Sequence, residues 1–108
     1  MTQQVVVVGA SGFGRECLDV LDAMVAAGAD LTVLGVVDDD IAEVNVERLA
    51  ARGVPFLGTR AAWLATEPGP VGYVLGIGSP AVRRRLVAEL DAAGLRAVPP
   101  KTPSPPLS

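Results

Sequence analysis

The sequence predicts an α/β protein, a layered sandwich built on a small parallel sheet. Three observations predict it. Short runs of β-branched and other apolar residues alternate with segments of helical period. The main runs are apolar at consecutive positions, as in sheets covered on both faces. The runs at 4–8, 31–37 and 71–77 end in Gly or Asp, where open α/β sheets carry their ligand-binding loops. The chain has 108 residues, half of them apolar and 19% charged. That fits one domain with a real core rather than a disordered chain.

The elements follow in order. Residues 4–8 form a buried strand closed by Gly9. From Phe13 the period changes: Cys17, Val20, Leu21, Met24 and Val25 fall on one helical face, and Gly28 is the stop. Residues 31–37 (LTVLGVV) form a second strand, ended by Asp38, Asp39 and Asp40. Residues 41–51 are a weak helix, because Val44, Asn45 and Val46 lower its propensity. Asp40 is its expected N-cap. Residues 54–57 are a short third strand, and 61–65 a helical turn capped by Thr59. The turn Glu67-Pro68-Gly69-Pro70 precedes a fourth strand at 71–77. Ser79 then caps a helix with Pro80 at its first position. Val82, Leu86, Leu90 and Ala93 give its apolar face, and Gly94 ends it. A fifth strand occupies 95–98. Together these predict a Rossmann-like three-layer sandwich with strand order 3-2-1-4-5. The domain spans 1–98. Residues 99–108, half of them proline, are expected to form a mobile tail.

Composition excludes several functions. A net charge of −3 and four aromatics (Phe13, Phe56, Trp63, Tyr73) argue against nucleic-acid binding. No apolar stretch approaches the ~20 residues of a membrane span, and no leader segment is readable. The expected home is therefore the cytoplasm. The single cysteine, Cys17, excludes an internal disulfide, and the absence of histidine excludes Ser-His, Cys-His and His-metal chemistry within the chain. Cys17, Trp63 and Tyr73 are expected to be core residues.

Three features can carry binding. The first is Gly9-Ala10-Ser11-Gly12-Phe13-Gly14-Arg15, between the first strand and the first helix. Glycines there permit a tight turn and close approach of a ligand, and the helix N–H groups that follow suit an anion. The spacing is G-x-x-G-x-G, not the G-x-G-x-x-G of most dinucleotide folds. The second is the acidic end of the second strand, where Asp38 and Asp39 can accept from ribose or base donors. The third is Gly76-Ile77-Gly78 followed by Arg83-Arg84-Arg85. Cations early in a helix oppose its dipole at roughly 0.3–1 kcal/mol each, which a bound anion offsets. Arg83 is expected to face the strand ends, and Arg84 and Arg85 the solvent.

The segments VVVVGASGFGRE, GVVDDD, VPFLGT and GIGSPAVRRRL, in this order, resemble the N-terminal domain of PglD-type sugar acyltransferases, including bacillosamine-pathway N-acetyltransferases and sialic acid O-acetyltransferases. The resemblance covers residues 5–98. It implies a domain that binds a nucleotide-sugar, usually a UDP-sugar. The trimerising β-helix that follows in the family binds acetyl-CoA and supplies a catalytic histidine. By resemblance, Gly9, Ala10, Ser11, Gly12, Phe13, Gly14 and Arg15 line the phosphates and sugar. Asp38 and Asp39 sit by the nucleoside. Gly76, Ile77 and Gly78 border the sugar pocket, and Arg83 matches the family's helix arginine. Phe13 departs from the histidine or glycine common there. The His-Pro-Ser that opens the β-helix has Thr102-Pro103-Ser104 in its place.

The leading expectation is therefore a nucleotide-sugar-binding domain without catalysis of its own. It holds no cofactor, since acetyl-CoA needs the β-helix, and it works beside a separate acyltransferase subunit or domain. An NAD-binding module or small reductase is the first alternative, although no Tyr-x-x-x-Lys pair is present. A protein-interaction domain with an unused cleft is the second.

Overall fold

The computed structural model describes residues 3–98. The element order is β1 (Gln3–Val8), α1 (Gly12–Ala26), β2 (Leu31–Val37), α2 (Glu43–Ala51), α3 (Arg60–Leu64), β3 (Gly72–Leu75), α4 (Pro80–Ala92) and β4 (Arg96–Ala97). The four strands form one parallel sheet in the order β2-β1-β3-β4. The α/β sandwich is as expected, but the order 3-2-1-4-5 is not. Residues 54–57 make only an isolated parallel bridge, Val36 with Phe56, beside β2. Val54 and Leu57 pack against the two sides of the core, but Phe56 is exposed, and the backbone bonds to β2 are confined to Pro55 and Leu57. The expected tail, 99–108, lies outside the described residues.

Both faces of the sheet are covered. Val5 and Val7 of β1 pack with Cys17, Leu18 and Leu21 of α1 and Leu49 of α2. Val6 and Val8 pack on the other side with Trp63 of α3 and Leu86 and Leu90 of α4. This two-sided burial is why β1 reads as an unbroken run of valines. A register shift between Val5 and Val6 leaves an extra residue in β2. The extra residue changes the alternation: Leu31, Val33 and Val36 face α1, and Leu34 and Val37 face α4.

The face of α1 is rotated from the expected one. Gly14, Cys17, Leu18 and Leu21 are buried, whereas Val25 is exposed. The close seat of Gly14 against the first loop, described below, turns the helix this way. The helix ends follow local chemistry. Thr59 accepts from the Ala62 amide (3.2 Å), and Ser79 accepts from the Val82 amide (3.5 Å). At the end of α4, Gly94 has φ +90° and the Leu95 amide donates to the Leu90 carbonyl, a Schellman closure. The expected cap of α2 is a correction: Ala42, not Asp40, stands at its N-cap.

β1 leads through α1 to one side of the sheet, and β3 leads through α4 to the other. The carboxyl ends of β1 and β3 thus flank a topological switch point, where open sheets leave a crevice.

Candidate functional site

The loop after β1 is built by backbone contact. Gly9 has φ +106° and donates to the Val37 carbonyl (2.8 Å). Gly14 sits directly on it: a Cβ at Gly14 would stand 1.9 Å from the Gly9 carbonyl oxygen. Gly76 closes the stack, since a Cβ there would stand 2.5 Å from the Gly14 Cα. Gly14 and Gly76 are therefore glycines because α1 and β3 meet there without side chains. Gly12 differs. A Cβ on it would meet only the Arg15 guanidinium, at 3.6 Å.

Asp38 holds this loop. One carboxylate oxygen accepts from the Ala10 amide and the other from the Asp40 amide, each at 2.8 Å. Asp39 accepts from the Arg60 amide (2.9 Å) and pairs with the Arg60 guanidinium (3.1 Å). Arg60 also lies 2.8 Å from Glu89 through Nε. That N–H is not aimed at the carboxylate, so the contact is an ion pair without a hydrogen bond.

Around these groups lies a cleft of 350 Å³. Of the expected site residues it gathers Gly9, Ser11, Asp38, Asp39, Gly76, Ile77 and Gly78. It adds Asp40, Arg60 and Arg85. A signal for Arg85 was present in the sequence: it lies three residues after Val82 and next to Leu86, on the inward flank of α4. Arg60 had no such signal, because its place depends on how the 54–59 segment runs back along β2.

A second cavity, of 850 Å³, lies beyond Ile77 and Gly78. Phe13, Cys17, Tyr73, Val74 and Leu75 line it. Phe13 and Arg83 belong to this cavity rather than to the polar cleft. Arg83 donates through Nη1 to the carbonyls of Leu75 (3.1 Å) and Ile77 (2.9 Å). Ala10, Gly12, Gly14 and Arg15 line neither of these two cavities. Arg15 instead donates to Asn45 at the start of α2 (3.1 Å).

Two titratable groups are shifted. Burial pushes the Cys17 thiol up, against a smaller opposing effect of the Arg83 charge; a thiol of that kind is a poor nucleophile. Tyr73 is pushed up to about 12, first by burial and then by its hydrogen bond to Asp91 (2.7 Å). Both behave as core residues. Among the described residues no helix is long and apolar enough to cross a membrane.

Fold and cleft together define a parallel α/β domain with a polar crevice at its switch point. The PglD N-terminal domain family model matches residues 4–90 of this chain. The chain belongs to that family, an acetyltransferase N-terminal domain. The match ends within α4 and leaves β4 outside it. Among curated proteins none matches the chain.

Proposed function

We propose that this domain binds a nucleotide-sugar, with a UDP-sugar as the first choice, in the cleft at the carboxyl ends of β1, β2 and β3. One observation carries the reading: a single 350 Å³ cleft at the switch point brings together Gly9 and Ser11 of the glycine loop, three aspartates and two arginines. The size falls within the range of small-ligand sites. Carboxylates accept from hydroxyl and base N–H donors; arginine and loop amides suit phosphate. The domain supplies binding, and acyl transfer falls to another domain or a separate acyltransferase subunit that brings the acetyl donor and the base. Family membership and a chain with no histidine support that division. A cytoplasmic setting goes with this reading, since Cys17 is buried and free and needs no oxidising compartment.

The test is thermal unfolding with UDP-N-acetylglucosamine, UDP, NAD and acetyl-CoA in separate samples. A ligand at about 100 times its Kd stabilises by about 2.7 kcal/mol, roughly ten degrees or more for a domain of this size. A shift with UDP or its sugar alone is expected. A shift with NAD alone replaces the reading with a dinucleotide one, and no shift with any of them removes it. Ser11→Asp sharpens the test. Ser11 lines the cleft, is exposed and makes no capping bond, so the variant keeps its Tm and loses UDP binding. Unchanged binding overturns the loop's role.

A further inference from the structure

The arginines of the cleft are not equivalent, and their partners separate them. Arg83, the expected anion contact, spends a guanidinium nitrogen on two carbonyls at the end of β3 and lines the apolar cavity. Arg60 lines the cleft, but Asp39 and Glu89 neutralise it. Arg85 lines the same cleft on α4, and its guanidinium has neither a hydrogen bond nor an ion pair among the described residues.

The carboxylates sort in the same way. Both oxygens of Asp38 accept from backbone amides, and Asp39 is paired with Arg60. Asp40 lines the cleft, and its carboxylate has no partner among the described residues. The ligand thus meets one cation without a counter-ion, Arg85, and two carboxylates without one, Asp38 and Asp40.

We propose that Arg85 receives the anionic group of the ligand, its diphosphate, on the α4 side of the cleft, and that Arg83 is a positioning residue. The diphosphate rests on the nucleotide reading above; the role of Arg85 as the cleft's anion contact does not. Carboxylates without a counter-ion would repel a phosphate, and a free guanidinium lining the same cleft offsets that repulsion. Arg85 also has the forked donor geometry that suits phosphate oxygens.

The experiment is calorimetric titration of wild type, Arg85→Gln and Arg85→Lys with UDP, uridine and inorganic pyrophosphate at two salt concentrations. Arg85 is exposed, so both variants fold, and unchanged Tm values check this. The expected result is about tenfold or greater weakening of UDP and pyrophosphate by Arg85→Gln, the loss of one charged hydrogen-bonding group. Uridine affinity changes by less than about twofold. Arg85→Lys recovers part of the loss, and the salt dependence of UDP binding flattens in Arg85→Gln. If wild type binds pyrophosphate through Arg85 but not UDP, the anion contact stands and the nucleotide reading falls. If Arg85→Gln binds UDP and pyrophosphate as wild type does, the proposal is overturned while the nucleotide reading stands. If wild type binds neither, both are overturned.

Discussion

The two cavities share Ile77 and Gly78, yet they are built in opposite ways. The cleft on the Gly9 side carries three aspartates and two arginines, most of them tied to backbone amides or to one another. The larger cavity on the Phe13 side is lined mainly by apolar groups, and two of its polar members serve the fold: Arg83 holds two carbonyls and Tyr73 bonds to Asp91, while Arg84 lines it with no side-chain partner among the described residues. The comparison teaches that an arginine next to a ligand loop is not thereby a ligand contact. What its guanidinium already holds decides its role.

The contrast can be broken most severely at the stack both cavities depend on. Gly14→Ala places a Cβ against the Gly9 carbonyl oxygen, where only backbone movement relieves the clash. A loss of about 3 kcal/mol, the upper end for overpacking, is expected in urea unfolding, with both cavities deformed. A stability within about 0.5 kcal/mol of wild type would mean that α1 can shift away from β3.

Next in size is Arg83→Gln. It removes a charged donor from two carbonyls, one of them on a buried residue. The expected loss is about 1.5–3 kcal/mol, seen as a lower urea midpoint. If affinity for UDP falls as well while stability is kept, Arg83 belongs to the binding group and the contrast fails.

Tyr73→Phe is smaller, about 1 kcal/mol for one hydrogen bond, and it carries a pH signature. The Tyr73 hydroxyl titrates at about 12 in the folded protein, against about 10 for a free tyrosine. Folding therefore favours the protonated form. Its stabilisation is fully present below pH ~10 and is lost as pH rises toward 12. Urea midpoints from pH 8 to 11.5 should converge between wild type and Tyr73→Phe at the alkaline end. Parallel curves would show that the hydroxyl is not buried against Asp91.

The smallest effect is expected at Ser11→Ala. The Ser11 side chain makes no capping bond to α1, so the change in stability stays within about 0.5 kcal/mol. A loss of 1 kcal/mol or more, typical for a true N-cap, would place its hydroxyl on the helix rather than free in the cleft.

Much of this was legible in the amino-acid sequence, because the signals are local. A run of valines apolar at every position can only be a strand covered twice. Ser79-Pro80 and Thr59 mark helix starts by their own hydrogen bonds, and Gly28, Gly53 and Gly94 mark ends by their positive φ. The α/β class and the glycine loop ahead of α1 follow from such signals. The four-segment resemblance found the family.

Other outcomes depended on groups distant in sequence. Asp40 resembles a helix cap, but α2 begins later, at Glu43, behind Ala42. Residues 54–57 have the composition of a strand, but pair with β2 through one bridge only. Arg83 and Arg85 are two positions apart on one helix, and no local rule says which is already in use. Local geometry sets the backbone conformation each residue prefers, so the sequence by itself determined the elements, their polarity and the loop that caps the sheet. Which charges were cancelled and which were left facing the cleft was decided only when β2, α3 and α4 packed together, because a charge is neutralised by neighbours in space and not by neighbours in the chain.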